Sequence, residues 1–180
     1  MEEHTFSAGT GSGEDTYYGY RSRAVSDLQR QRPCEDVFSV GQHCINCALE
    51  AEARGYSPRL VLACLLHDAS EAYLSDVPRP FKKSMPQYRE LEQRLLDVIY
   101  CKYLGSALSE EEEHLLKVID NDLLWYDLKE LLNEWDGSPE PELKTAVSYE
   151  AVPFRQVEKT YLEMYERLKS ALCAAELRGI

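Results

Sequence analysis

One histidine, one His-Asp pair and one of two aspartates occur in order along this chain, at His43, His67-Asp68 and Asp120 or Asp122, each inside an apolar, helix-like pattern. Imidazole nitrogens and carboxylate oxygens are common donors to divalent first-row metal ions, and two of each can converge inside a helical bundle. The densest segment is LLHDASEAYLSDVPRPFK, Leu65 through Lys82. If one helix runs through it, His67 and Glu71 lie four residues apart on one face, and Asp68 projects about 100° further round. A carboxylate buried in such a helix needs a cation or several donors, because an unpaired buried charge is costly. Taken alone, a His-Asp dipeptide reads more readily as a hydrogen-bonded core pair, and a lone His43 as a satisfied core histidine. Periodicity does not choose between Asp120, set among Leu116, Ile119, Leu123 and Leu124, and Asp122, flanked by Val118, Ile119, Trp125 and Tyr126.

Helices must position these groups. From about residue 36 the apolar spacing is near 3.6, with no sustained alternation that would demand a sheet, so an all-α bundle of about five main helices with short extra helices is expected. Val37, Val40, Cys44, Cys47, Ala48 and Ala51 mark one face of a first helix that Gly55 ends. Ser57-Pro58 opens a second, expected to reach about Leu74, whose run Leu60–Leu66 is too apolar for a surface helix and predicts a central element. Pro78, Pro80 and Pro86 predict a loop, and a third helix follows over about 87 to 104, stopped by Gly105. Ser109 and Glu112 form a capping box for a fourth helix reaching about Trp135. A turn-rich link, Asp136 to Pro141, precedes a last helix from about Pro153, with Val157, Tyr161, Met164, Tyr165 and Leu168 along one side.

Composition bounds what such a bundle can do. In 180 residues, 44% hydrophobic content supports a buried core, and residues 25–175 read as one domain behind a Gly- and Ser-rich, flexible tail at 1–24. The formal charge of −12 and the lack of any basic run longer than a pair argue against duplex nucleic acid as a partner. A metal ion and a few local cations can still draw a small phosphorylated molecule against that field. The longest apolar run, Leu60–Leu66, is too short for a membrane span, and the acidic start Met1-Glu2-Glu3 is unlike a signal peptide, so a cytoplasmic location is expected. The six cysteines, at 34, 44, 47, 64, 101 and 173, lack disulfide-scaffold spacing and are read as reduced core residues. Cys44-Ile45-Asn46-Cys47 is nominally CxxC, but no second CxxC completes a structural zinc site.

The order His43, His67-Asp68, Asp120 resembles the H…HD…D signature of the HD-domain phosphohydrolases. FSVGQH, HDASEAYLSDVPRP, KVIDNDLLWYDL and VPFRQVEKTYLEMYERL are similar to the short branch that includes 5′-deoxynucleotidases and a dATP triphosphohydrolase, over roughly residues 30 to 170. The resemblance implies His43, His67, Asp68 and Asp120 as metal ligands, and it selects Asp120 over Asp122. The implied cofactor is one divalent ion: Mn, Co, Ni, Fe, Zn or Mg. Glu71 matches the catalytic carboxylate that orients or deprotonates the attacking water, Asp76 a sugar contact, and Lys82 a phosphate contact. Arg79 and Lys83 are further phosphate candidates. The Arg-aromatic or Gly-His pair common upstream of the first ligand is missing from RQRPCEDVFSVGQH, where Arg30 or Arg32 could substitute, which weakens any reading of the base. The implied activity is nucleotide phosphohydrolysis, first of deoxynucleoside 5′-monophosphates, through water acidified by the ion. A deoxynucleoside triphosphate triphosphohydrolase and a catalytically silent nucleotide-binding module are the alternatives, and the family allows a homodimer.

Overall fold

The computed structural model describes residues 38–178, apart from 76, 78, 135 and 136. The tail at 1–24, Arg30, Arg32, Cys34, Val37 and Asp76 therefore lie outside the described residues, as does the side chain of Arg79. The regular secondary structure of the described residues is all helix, with no strand among them. In order they form α1 (Val40–Ala53), α2 (Pro58–Leu66), α3 (Glu71–Leu74), α4 (Arg79–Lys83), α5 (Pro86–Leu104), α6 (Glu110–Leu132) and α7 (Phe154–Arg178). None is long and apolar enough to cross a membrane.

The short helix α2 is central. It packs against α1, α5, α6 and α7, and every residue from Leu60 to Leu66 is buried. Each such aliphatic side chain contributes roughly 1.5–3 kcal/mol relative to exposure, which is why a nine-residue helix can anchor the bundle. Ser57 caps its start by accepting the Leu60 N–H, with Pro58 in the first turn. Reciprocal capping boxes start α1 at Ser39 with Gln42, and α6 at Ser109 with Glu112. Gly41 allows α7 to approach α1 two residues before the buried His43. A Cβ at Gly41 would stand 3.1 Å from Val157 Cγ1.

Four expectations need correction. Helix α2 stops at Leu66 instead of running to Leu74, and side chains satisfy two of its last carbonyls: Cys64 O accepts from His67 Nδ1 at 2.8 Å, and Leu65 O from the Tyr161 hydroxyl at 2.6 Å. The chain then turns through 67–70 before α3 begins. The proline-rich stretch holds the short helix α4 rather than loop alone. Helix α6 ends at Leu132, where Asn133 adopts the left-handed conformation that Asn tolerates better than most residues (φ 52°). Cys44, Cys47 and Cys64 are buried, but Cys101 and Cys173 are exposed, as is Val40, so neither every cysteine nor the whole apolar stripe of α1 belongs to the core.

Candidate metal centre

Two imidazoles meet in the interior, one from α1 and one from the end of α2. His43 is the fourth residue of α1, and Cys47, one turn later, leaves from the same face. His67 caps the C-terminus of α2 with Asp68 beside it in the turn, while Asp120 and Asp127 stand two turns apart on α6. The two imidazole rings lie 5.3 Å apart, centroid to centroid.

The hydrogen bonds assign the tautomers. A carbonyl oxygen only accepts, so His67 Nδ1 carries the proton it donates to Cys64 O. His67 Nε2 is left buried with no hydrogen-bond partner, 3.3 Å from Asp68 Oδ2 and 3.8 Å from Asp120 Oδ1. His43 Nδ1 donates to Asp127 Oδ2 at 2.7 Å. Its Nε2 then lies 3.4 Å from Cys47 Sγ and 3.5 Å from Asp120 Oδ1. Asp120 divides its oxygens: Oδ1 faces both imidazoles, and Oδ2 accepts from Lys117 Nζ at 2.7 Å. His43, His67, Asp68 and Asp120 are thus brought together from α1, the turn after α2, and α6.

The local field favours positive charge. Burial opposes protonation of His67, yet Asp68, with Cys44 and Asp120, raises its pKa to about 10. Burial likewise opposes the charge on His43, but Cys47, Asp120 and Asp127 together hold its pKa well above the ordinary imidazole value. A divalent ion would answer the same carboxylates and use the lone pairs that those protons occupy. Two sets of donors are close enough to hold one: His43, Cys47 and His67, and Cys44, His67 and Asp68, with ligand atoms in each set within 4.8 Å of one another. His67, whose Nε2 has no hydrogen-bond partner, is common to both. The cluster therefore fits a metal ion in position and in donor chemistry.

Asp122 has a different task. Its carboxylate accepts from Arg54 at 2.8 Å, and Arg54 also meets the fully buried Glu50 at 2.7 Å. Glu71 opens α3 beyond the turn, so helix periodicity from His67 does not set its direction; its Oε1 lies 3.7 Å from Lys82 Nζ. Lys82 binds Glu92 more closely, at 2.7 Å. An open cleft of about 750 Å³ between α6 and residues 143–150 contains none of the cluster residues, and its walls carry Glu130 and Glu150 but no cation, which suits it poorly to phosphate.

Sequence reasoning missed Asp127 as the partner of His43 and read Cys47 as a core residue over the zinc role that its CxxC motif suggested. Their spacings, seven from Asp120 and four from His43, place them on the right faces, but nothing in either spacing separates such residues from ordinary helix positions. No family model matches the chain. Over 66 residues it is 35% identical to the uncharacterized protein YfdR of Escherichia coli (strain K12), a match spanning 37% of this chain and 34% of that protein.

Proposed function

We propose that this protein is a metal-dependent phosphohydrolase of the HD-domain kind acting on nucleotides, first of all a 5′-deoxynucleotidase for deoxynucleoside 5′-monophosphates. The observation that carries the reading is the buried, unpartnered Nε2 of His67, facing the carboxylates of Asp68 and Asp120. His43, His67, Asp68 and Asp120 would hold the ion. A divalent ion held there supplies Lewis acidity toward a water and a phosphate oxygen, and neutralises charge during phosphoryl transfer. The chain's own residues do the rest. Asp127 and the Cys64 carbonyl hold the two imidazoles in the tautomers that turn both Nε2 atoms toward the cluster. Glu71 accepts the proton of the attacking water, a role worth roughly 10²–10⁴-fold in rate. The Lys82 ammonium, held between Glu71 and Glu92, turns to a phosphate oxygen as substrate enters. With that cation already facing two carboxylates, a monophosphate suits the site better than the longer triphosphate.

Product analysis tests this. Metal-stripped protein, resupplied with Mn²⁺, Co²⁺, Zn²⁺ or Mg²⁺, is incubated with ribo- and deoxyribonucleoside mono- and triphosphates, and the anions are resolved by chromatography. Orthophosphate from a deoxynucleoside monophosphate is expected. Tripolyphosphate would instead establish the triphosphohydrolase, and no product from any nucleotide would overturn both. Asp68→Ala should lose metal and activity together. Glu71→Ala should keep the metal and lose roughly 10²–10⁴-fold in turnover.

A further inference from the structure

The ligand set just proposed gives no task to the thiol of Cys47, yet its sulfur lies closer to His43 Nε2 than the Asp120 carboxylate does, 3.4 Å against 3.5 Å. Cys47 is 1% exposed, so the thiol points into the protein and not toward solvent. His43 and Cys47 stand one turn apart on α1, so the helix itself sets the separation of their side chains. The sulfur also falls within 4.8 Å of the ligand atoms of both His43 and His67, so the three donors are near enough to one another to share one ion. Cys44 differs. It shares its group with His67 and Asp68 only, and so meets one of the two imidazoles.

We infer that Cys47 is an inner-sphere ligand of the metal centre, so that the site is a mixed nitrogen, oxygen and sulfur set built for a thiophilic ion such as Zn²⁺ or Co²⁺ in preference to Mg²⁺ or Mn²⁺. The inference rests on the proposed metal centre and adds a donor to it. On coordination the sulfur–metal bond forms as the S–H bond breaks, and the proton passes to solvent. The ion's preference is then set by α1, the same helix that supplies the first imidazole.

The test reads the metal, not turnover. Full-length protein is stripped and loaded anaerobically with Co²⁺, and its absorption spectrum is recorded. Visible ligand-field bands report cobalt held in the centre, and a near-ultraviolet thiolate-to-cobalt band reports sulfur. Both are expected in the wild type; Cys47→Ser should keep the first and lose the second, while Cys44→Ser keeps both. X-ray absorption of the zinc-loaded wild type provides a check that needs no variant, with one sulfur expected at about 2.3 Å. Ligand-field bands without any sulfur signature would overturn this inference and leave the metal centre standing. A sulfur signature lost in Cys44→Ser but kept in Cys47→Ser would reassign the donor and overturn it too. No bound cobalt or zinc at all would overturn the metal centre itself.

Discussion

Two charged clusters lie between α1 and α6, and they resolve the same problem differently. At Arg54, the buried carboxylate of Glu50 accepts from the guanidinium at 2.7 Å and from the Lys144 and Thr145 N–H groups at 3.0 Å, while Asp122 accepts from the same guanidinium at 2.8 Å. That cluster carries its own permanent cation and enough donors. Around His43 and His67, the carboxylates of Asp68, Asp120 and Asp127 face imidazoles, which can be neutral, and one ring nitrogen has no hydrogen bond at all. Buried charge by itself is therefore not the mark of a site. What distinguishes the second cluster is acidic groups converging on imidazole nitrogens, one of them without a hydrogen bond, while its permanent cation, Lys117, pairs with Asp120 Oδ2 and not with the oxygen that faces the rings, an arrangement that an ion completes.

Single substitutions at neighbouring positions of α6 break the comparison most directly. Asp120→Ala should abolish stoichiometric metal binding, read by elemental analysis, and reduce turnover to background. Asp122→Ala should keep the metal and instead cost about 1–2 kcal/mol in denaturant unfolding, the modest figure reflecting an ion pair that is partly exposed. Equal metal loss in both variants would sink the distinction between the clusters. A smaller effect is expected at the outer partner of His43: Asp127→Asn should weaken metal affinity roughly 10–100-fold by disturbing the tautomer, with the fold retained. Competition against a chelator measures this, and unchanged affinity would deny Asp127 its orienting role.

A pH dependence is expected as well. In metal-free protein the His67 pKa is raised, after the opposing effect of burial, by Asp68 to about 10 from the ordinary 6.5. A raised folded-state value means that protonation stabilises the metal-free fold fully below about pH 6.5, and that this contribution is lost as pH rises through about 10. The melting temperature of stripped wild type should fall over that window more steeply than that of His67→Gln, whose side chain does not titrate. Parallel curves would show that the field at His67 is weaker than its surroundings indicate.

Much of the scaffold is legible along the chain because the forces involved are local. The apolar run Leu60–Leu66 announces a central helix, and Ser39, Ser57 and Ser109 announce helix starts through bonds to residues three positions on. The end of α2 is not legible in this way. One of its last carbonyls, that of Leu65, is satisfied by Tyr161, 96 residues away. The exposure of Cys101 and Cys173 is equally a matter of which faces of α5 and α7 find partners. In the candidate centre, the types and order of His43, His67-Asp68 and Asp120 are readable as a donor set, whereas Asp127 looks like a routine helix residue until α6 is packed on α1, and the approach of Cys47 to His67 waits on the packing of α1 against the end of α2.

The amino-acid sequence determined that this chain is helical, which helix lies at its centre, and which residue types could serve as metal donors, because periodicity, caps and donor chemistry are properties of residues and their near neighbours. Tertiary structure alone decided that Asp120 faces the imidazoles while Asp122 meets Arg54, that Asp127 orients His43, and that the Cys47 sulfur stands at the cluster. All but the His43–Cys47 approach, which lies within α1, are contacts between segments far apart in the chain, and their distances follow from how the helices pack, which no local spacing specifies.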